Sequence, residues 1–162
     1  MIDFGFTALH AVVYACIFSA FVLATLYMNP RLWVQDYPRS IQEKVPSKDE
    51  AEKRGSLILS LFFVLIFAGY PLATLLLYRG APTFAGAFLH LFVMFQFSNL
   101  IDLVILDWLI FCTITPQWLV IPGTTVDDGY KDYRYHFIAG LKGVVITTVA
   151  ALVVAGVYAL LA

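Results

Sequence analysis

The chain has 162 residues, 61% of them hydrophobic and 13% charged, with a mean hydropathy of +0.84. A soluble domain carries about half apolar and about a quarter charged residues, so a water-soluble globule is excluded and a bilayer is the expected solvent. The formal net charge of -1 is made of charges gathered into two stretches rather than a basic face, and nucleic-acid binding has no support.

A helix crossing the hydrocarbon core needs about 20 mainly apolar residues. Four runs reach that length: Phe6 to Met28, Leu57 to Tyr78, Phe84 to Thr113 and Ile138 to Leu161. The expected fold is therefore an all-α membrane protein, one transmembrane domain over 1–162, with four helices in an up-down bundle joined by long polar loops at about 29–56 and 114–137. Of the ten Lys and Arg residues, nine fall in or beside these two loops: Arg31, Arg39, Lys44, Lys48, Lys53, Arg54, Lys131, Arg134 and Lys142. Only Arg79 lies in the short turn between the second and third runs. The positive-inside rule then puts both long loops in the cytoplasm, and both termini and the Arg79 to Thr83 turn on the other side.

The first run is expected to be a retained anchor rather than a secretory signal, because Asp3 precedes it and no Lys or Arg occurs before Arg31. Cys16 lies near mid-depth of this run and Cys112 near the loop end of the third, a difference in depth that exceeds the roughly 7 Å limit for bridged Cα atoms. In the first loop, Pro30 and Pro38 stop helix while Trp33 and Tyr37 suit a headgroup region, so the segment is expected to lie along the membrane surface. Ser47 with Glu50 reads as a capping box opening a helix that runs into the second span, its charges from Lys48 to Arg54 forming a solvated turn.

The third run carries the polar residues with chemical interest. At 3.6 residues per turn Gln96, Asn99, Asp102 and Asp107 fall within an arc of about 140°, one broad face of the helix. Two aspartates near the centre of a span cost roughly 5 to 7 kcal/mol, against about 5 to 10 kcal/mol from its Leu, Ile, Phe and Val residues, so the helix inserts with little to spare. Intramembrane carboxylates face the bundle interior and mark functional sites by default. Asp102 is expected to line a polar cavity with Asn99 and Gln96, reached past Asp107. Lys142 lies about one and a half turns into the fourth run, at the depth of Asp107 on an antiparallel neighbour, and is its expected partner unless its long stem snorkels to the headgroups.

The second loop opens with Thr115 to Gly123, too short to span and too apolar for a solvated loop, and is expected to rest at the interface. Trp33, Trp118, Tyr133, Arg134 and His136 are the candidate residues at that boundary. The fourth run repeats Ala139, Gly143, Thr147, Ala151, Ala155 and Ala159 at every fourth position, a small-residue stripe that lets another helix approach closely. That helix is either an internal neighbour or a second copy of the chain. His10 and His90 share a depth but offer neither a metal-ligand count nor a spacing motif, and no Glu lies in any run, so no metal or cofactor is expected.

The combination of Asn29-Pro30-Arg31-Leu32-Trp33, Asp36-Tyr37-Pro38, Asp102 through Asp107-Trp108 and Gly129-Tyr130-Lys131-Asp132-Tyr133 resembles a group of small, uncharacterised four-span membrane proteins of prokaryotes. The resemblance implies the architecture above, a prokaryotic cytoplasmic membrane as the location, and no activity or site residue. Three functions stay open at this level: a membrane scaffold or accessory subunit held by the stripe and the aromatic loops, with membrane lipids and a homo-oligomer as partners; an ion- or proton-coupled transport subunit using Asp102; and an enzyme acting on a lipid where Asp107, His136 and the Trp118 loop meet the inner leaflet.

Overall fold

The computed structural model describes residues 3–78 and 83–161, and the expected turn from Arg79 lies, apart from Thr83, outside them. Four helices long and apolar enough to cross a membrane dominate it, and no strand occurs among the described residues. They are α1 (Phe4–Met28), α2 (Glu50–Leu77), α3 (Phe84–Ile114) and α4 (Tyr133–Leu161). Thr7 near the start of α1 meets His90 near the start of α3, and His90 also meets Thr74 near the end of α2. Gln96 of α3 meets Thr147 of α4. The helices therefore alternate in direction, and the two long connections lie at one end, here the loop end.

Local chemistry explains the helix boundaries. The Asp3 carboxylate accepts from the Phe6 N–H at 2.9 Å and caps α1, and Asn29 leaves the helix in an extended conformation before Pro30. The N-cap of α2 lies two residues after the expected one. Asp49, not Ser47, is the N-cap, with Glu52 returning to its backbone in a full capping box. The start at Glu50 lies a full two turns ahead of the apolar run, because hydropathy marks only the part of a helix suited to lipid. Likewise α4 starts at Tyr133, behind the Asp132 carboxylate that accepts from Tyr135 N–H.

Two of the helices change their winding. In α2 the stretch Leu65–Gly69 is a π-turn immediately before Pro71. Proline has no N–H to give and its ring crowds the carbonyl four residues back, so the helix widens where that bond is lost. In α3 the α-helix of Phe84–Ile101 gives way to π winding over Asp102–Ile114, closed by Thr115 at φ 45. There each carbonyl meets the N–H five residues on, as in Thr115 N to Ile110 O at 2.9 Å.

Packing is uneven. α3 is the central helix, in extended contact with α1 and with α4, whereas α2 leans on α1 and on the first loop and leaves most of its surface outward. The small-residue stripe of α4 faces α3: Thr147, Ala151 and Ala155 are buried, while Ala139 and Ala159 at its ends are exposed. Two packed layers result. One, at the end away from the long loops, joins Ala11, Tyr14, Leu75, Leu91, Met94 and Phe95.

The other layer is at the loop end, and both loops fold into it. After a 3-10 helix over Pro30–Asp36 and a single turn over Arg39–Gln42, Tyr37 and Ile41 are buried against Phe111, Leu119 and Tyr130. The stretch expected to rest on the membrane surface instead turns inward, with Leu119 and Ile121 at most 1% exposed. Its apolar character is that of a small core. Tyr37 Oη donates to Leu119 O at 2.9 Å, Ile121 N donates to Tyr130 Oη at 2.9 Å, and Lys44 pairs with Asp128 across the two loops. The charges expected to be solvated are partly spent in the same way. Arg31 grips Glu52 through two nitrogens, and Lys48 Nζ donates to Leu32 O, Gln35 Oε1 and Ser56 Oγ at 2.7 to 2.9 Å.

Candidate functional site

Between the two packed layers the helices do not close on one another. A cavity of about 290 Å³ opens at the loop end, and a second of about 270 Å³ lies beside it toward mid-depth. They share Phe18, Phe63, Asn99, Asp102 and Gly143 as walls. The first is at the small end of the roughly 300–1,000 Å³ range of ligand pockets. Its walls come from α1, the first loop, α2, α3 and α4, so no single sequence segment announces it.

The winding of α3 brings the carboxylates together. In an α-helix residues five apart diverge by about 140°, but in π winding the bond itself joins residue i to i+5, so Asp102 and Asp107 stack along one strip. Both line the first cavity. Asn99 stands one turn above, its Nδ2 donating to Gly140 O at 3.2 Å. The α4 glycines make room: a Cβ on Gly143 would collide with the Asn99 amide, and one on Gly140 would press the Leu103 methyls.

Asp107 is held by His136, Nδ1 to Oδ1 2.9 Å. His136 lies in the first turn of α4, packed on the Phe111 ring at a centroid distance of 4.6 Å. The ring is 3% exposed, yet its Nε2 has no partner among the described residues. Nδ1 is the nitrogen that faces the Asp107 carboxylate and donates to it. Asp102 lines both cavities and forms no hydrogen bond or ion pair with any described residue.

Asp36, from the first loop, completes the polar wall at the rim. Protein packed around its carboxyl raises its pKa; the Gln35 hydrogen bond and Lys48 pull it back, and Asp107 adds to the rise. Nothing in the sequence singled out Asp36 beyond its place beside Tyr37. Aromatic and aliphatic side chains form the rest: Phe18, Val22, Leu26, Trp33, Phe63 and Phe111.

Several expected roles change. Lys142 is exposed on α4 and makes no ion pair among the described residues, so Asp107 does not pair with it; matched depth put it on the right level but on the outward face. Gln96 does not line the cavity with Asn99 and Asp102, because its Nε2 donates to Thr147 Oγ1 at 2.9 Å and Thr148 Oγ1 at 3.2 Å. Of the boundary residues, Trp33 donates to Thr25 Oγ1 at 3.0 Å and lines the cavity, Trp118 stacks edge-on to Tyr27, and Tyr133 and Arg134 are exposed. His10 and His90 make no joint site. His10 bonds Tyr70, and His90 is clamped between Thr7 and Thr74 hydroxyls at 2.9 Å each. No group of three or more His, Cys, Asp or Glu residues suited to a metal ion occurs among the described residues.

Comparison with protein-family models, with curated proteins and with solved structures finds no match for this chain.

Proposed function

We propose that the protein is a membrane-embedded binding protein for a lipid-soluble amphiphile, taken into the loop-end cavity with its polar group against Asp102, Asp107 and His136 and its apolar part along α1 and α2. The observation that carries this reading is the pairing, in one cavity, of unpartnered polar groups with an apolar wall. A scaffold held by helix packing needs neither, and buried polar groups left unbonded cost about 1–3 kcal/mol each. The apolar second cavity, bounded by Phe63, Phe67, Phe95 and Ile146, continues the first toward mid-depth and suits a hydrocarbon tail. The loop end is the cytoplasmic end in this reading, supported by the nine-to-one Lys and Arg asymmetry. The site then opens at the inner leaflet of a cytoplasmic membrane.

The test is the lipid that travels with the protein. Extracts of the purified parent, analysed by mass spectrometry, should be enriched in one amphiphile class over the bulk membrane, and a variant with the cavity filled, Ala139→Phe, should lose that enrichment while keeping its elution volume. If parent and variant both carry bulk lipids in bulk proportions, the binding reading fails and a packing role for this bundle stands.

A further inference from the structure

The head-group chemistry of the ligand can be read from which hydrogen-bonding capacities the cavity leaves open. Most of its donor groups are already engaged. Asn99 Nδ2 donates to Gly140 O, Trp33 Nε1 to Thr25 Oγ1, and Tyr37 Oη to Leu119 O. Acceptors remain: the carboxylates of Asp102, Asp107 and Asp36 and the Oδ1 of Asn99. Among the lining residues the second Asn99 Nδ2 hydrogen and the Tyr135 hydroxyl remain as donors.

Charge points the same way. Three carboxylates line the space, and no Lys or Arg is among the lining residues. A phosphate or carboxylate brought there would meet like charge and more acceptors than donors, a double mismatch that a partly desolvated site magnifies. An ammonium reverses every term, offering positive charge and N–H donors. The rings around it add to this, since Trp33, Phe18, Phe63 and Phe111 present aromatic surface of the kind that holds organic cations.

We propose that the cavity is selective for cationic amphiphiles, an alkylammonium group entering among Asp36, Asp102, Asp107 and His136 with its chain directed toward Phe67 and Ile146. This rests on the amphiphile-binding reading and adds the sign of the head group to it. The ammonium belongs either to a free lipophilic amine or to a zwitterionic lipid whose phosphate stays outside the rim.

Binding of radiolabelled decylammonium to the protein in uncharged-lipid nanodiscs, corrected for empty discs, tests the proposal. Saturable binding is expected, with decanol competing at least tenfold more weakly and decyl phosphate not competing. Competition by decylphosphoethanolamine at a level near that of decylammonium assigns the ammonium to a zwitterionic lipid, and its absence assigns it to a free amine. The double variant Asp102→Asn, Asp107→Asn should bind at least tenfold more weakly. Asp36→Asn, at the exposed rim and tolerant of change, should weaken binding severalfold in the same direction if the double variant does not fold. Equal competition by decanol and decyl phosphate, or unchanged binding in the folded variants, overturns the cationic selectivity and leaves amphiphile binding in place. Saturable binding of none of the probes overturns both.

Discussion

His136 and Lys142 sit less than two helical turns apart on α4, and both lie at a depth that suits Asp107. Direction separates them. Residues six apart on an α-helix are rotated by about 240°, so only one can face α3, and the structure gives that place to His136, with Nδ1 2.9 Å from the carboxylate. Lys142 is turned outward. Asp107→Ala should therefore leave a buried imidazole with both nitrogens unbonded and lower unfolding stability by about 1–3 kcal/mol. Lys142→Met should fall within about 0.5 kcal/mol of the parent, as surface substitutions do. Denaturant titration of the two variants in detergent checks the contrast, and an equal loss in both would restore Lys142 as a partner. The carboxylates themselves were legible in the sequence, since an aspartate in an apolar run has few explanations. Their partners were not, because a contact across helices depends on the rotation of each.

Regular periodicity was the assumption that failed at the level of the helix. The polar face of α3 was laid out at 3.6 residues per turn, which holds from Gln96 to Asp102 and not beyond, where the winding becomes π. No composition signal marks that change, so the stacking of Asp102 over Asp107 is visible only in three dimensions. The π segment ends at Thr115, a β-branched residue at φ 45, in the left-handed region that L residues enter at a cost of about 1–2 kcal/mol. Its hydroxyl answers part of this by donating to Phe111 O at 2.8 Å. Removing the hydroxyl alone, as in Thr115→Ala, should cost about 1 kcal/mol, whereas Thr115→Gly loses the same bond but relieves the backbone. Glycine should then be more stable than alanine by about 1 kcal/mol, the reverse of their order in a helix interior. Thermal unfolding of both variants settles the order, and alanine above glycine would mean that the terminus relaxes out of the left-handed conformation.

At the scale of the molecule, the number of long helices follows from hydropathy, because backbone satisfaction in lipid leaves a helical chain no alternative once an apolar run reaches span length. The loops resisted the same reading. Their aromatic and apolar residues suit a membrane surface, but Tyr37, Leu119, Ile121 and Tyr130 also bury one another, and Tyr37 lines the cavity. That packing also ties up charge: Arg31 with Glu52, Lys44 with Asp128 and Lys53 with Glu50. Local neutralisation does not weaken the orientation argument, since the positive-inside bias counts Lys and Arg and is little affected by Asp and Glu. The loop end should accordingly be cytoplasmic. Single cysteines at Ser47 and Asp127, exposed in the two loops, should be protected from a membrane-impermeant thiol reagent in intact cells and react after permeabilisation. One at Thr83, exposed at the opposite end, should react without it. The native thiols do not interfere, because Cys112 is 0% exposed and Cys16 lies on the apolar surface of α1. Labelling of Ser47→Cys and Asp127→Cys from outside, with Thr83→Cys protected, would invert the bundle and open the carboxylate-lined cavity to the outer leaflet instead of the inner one.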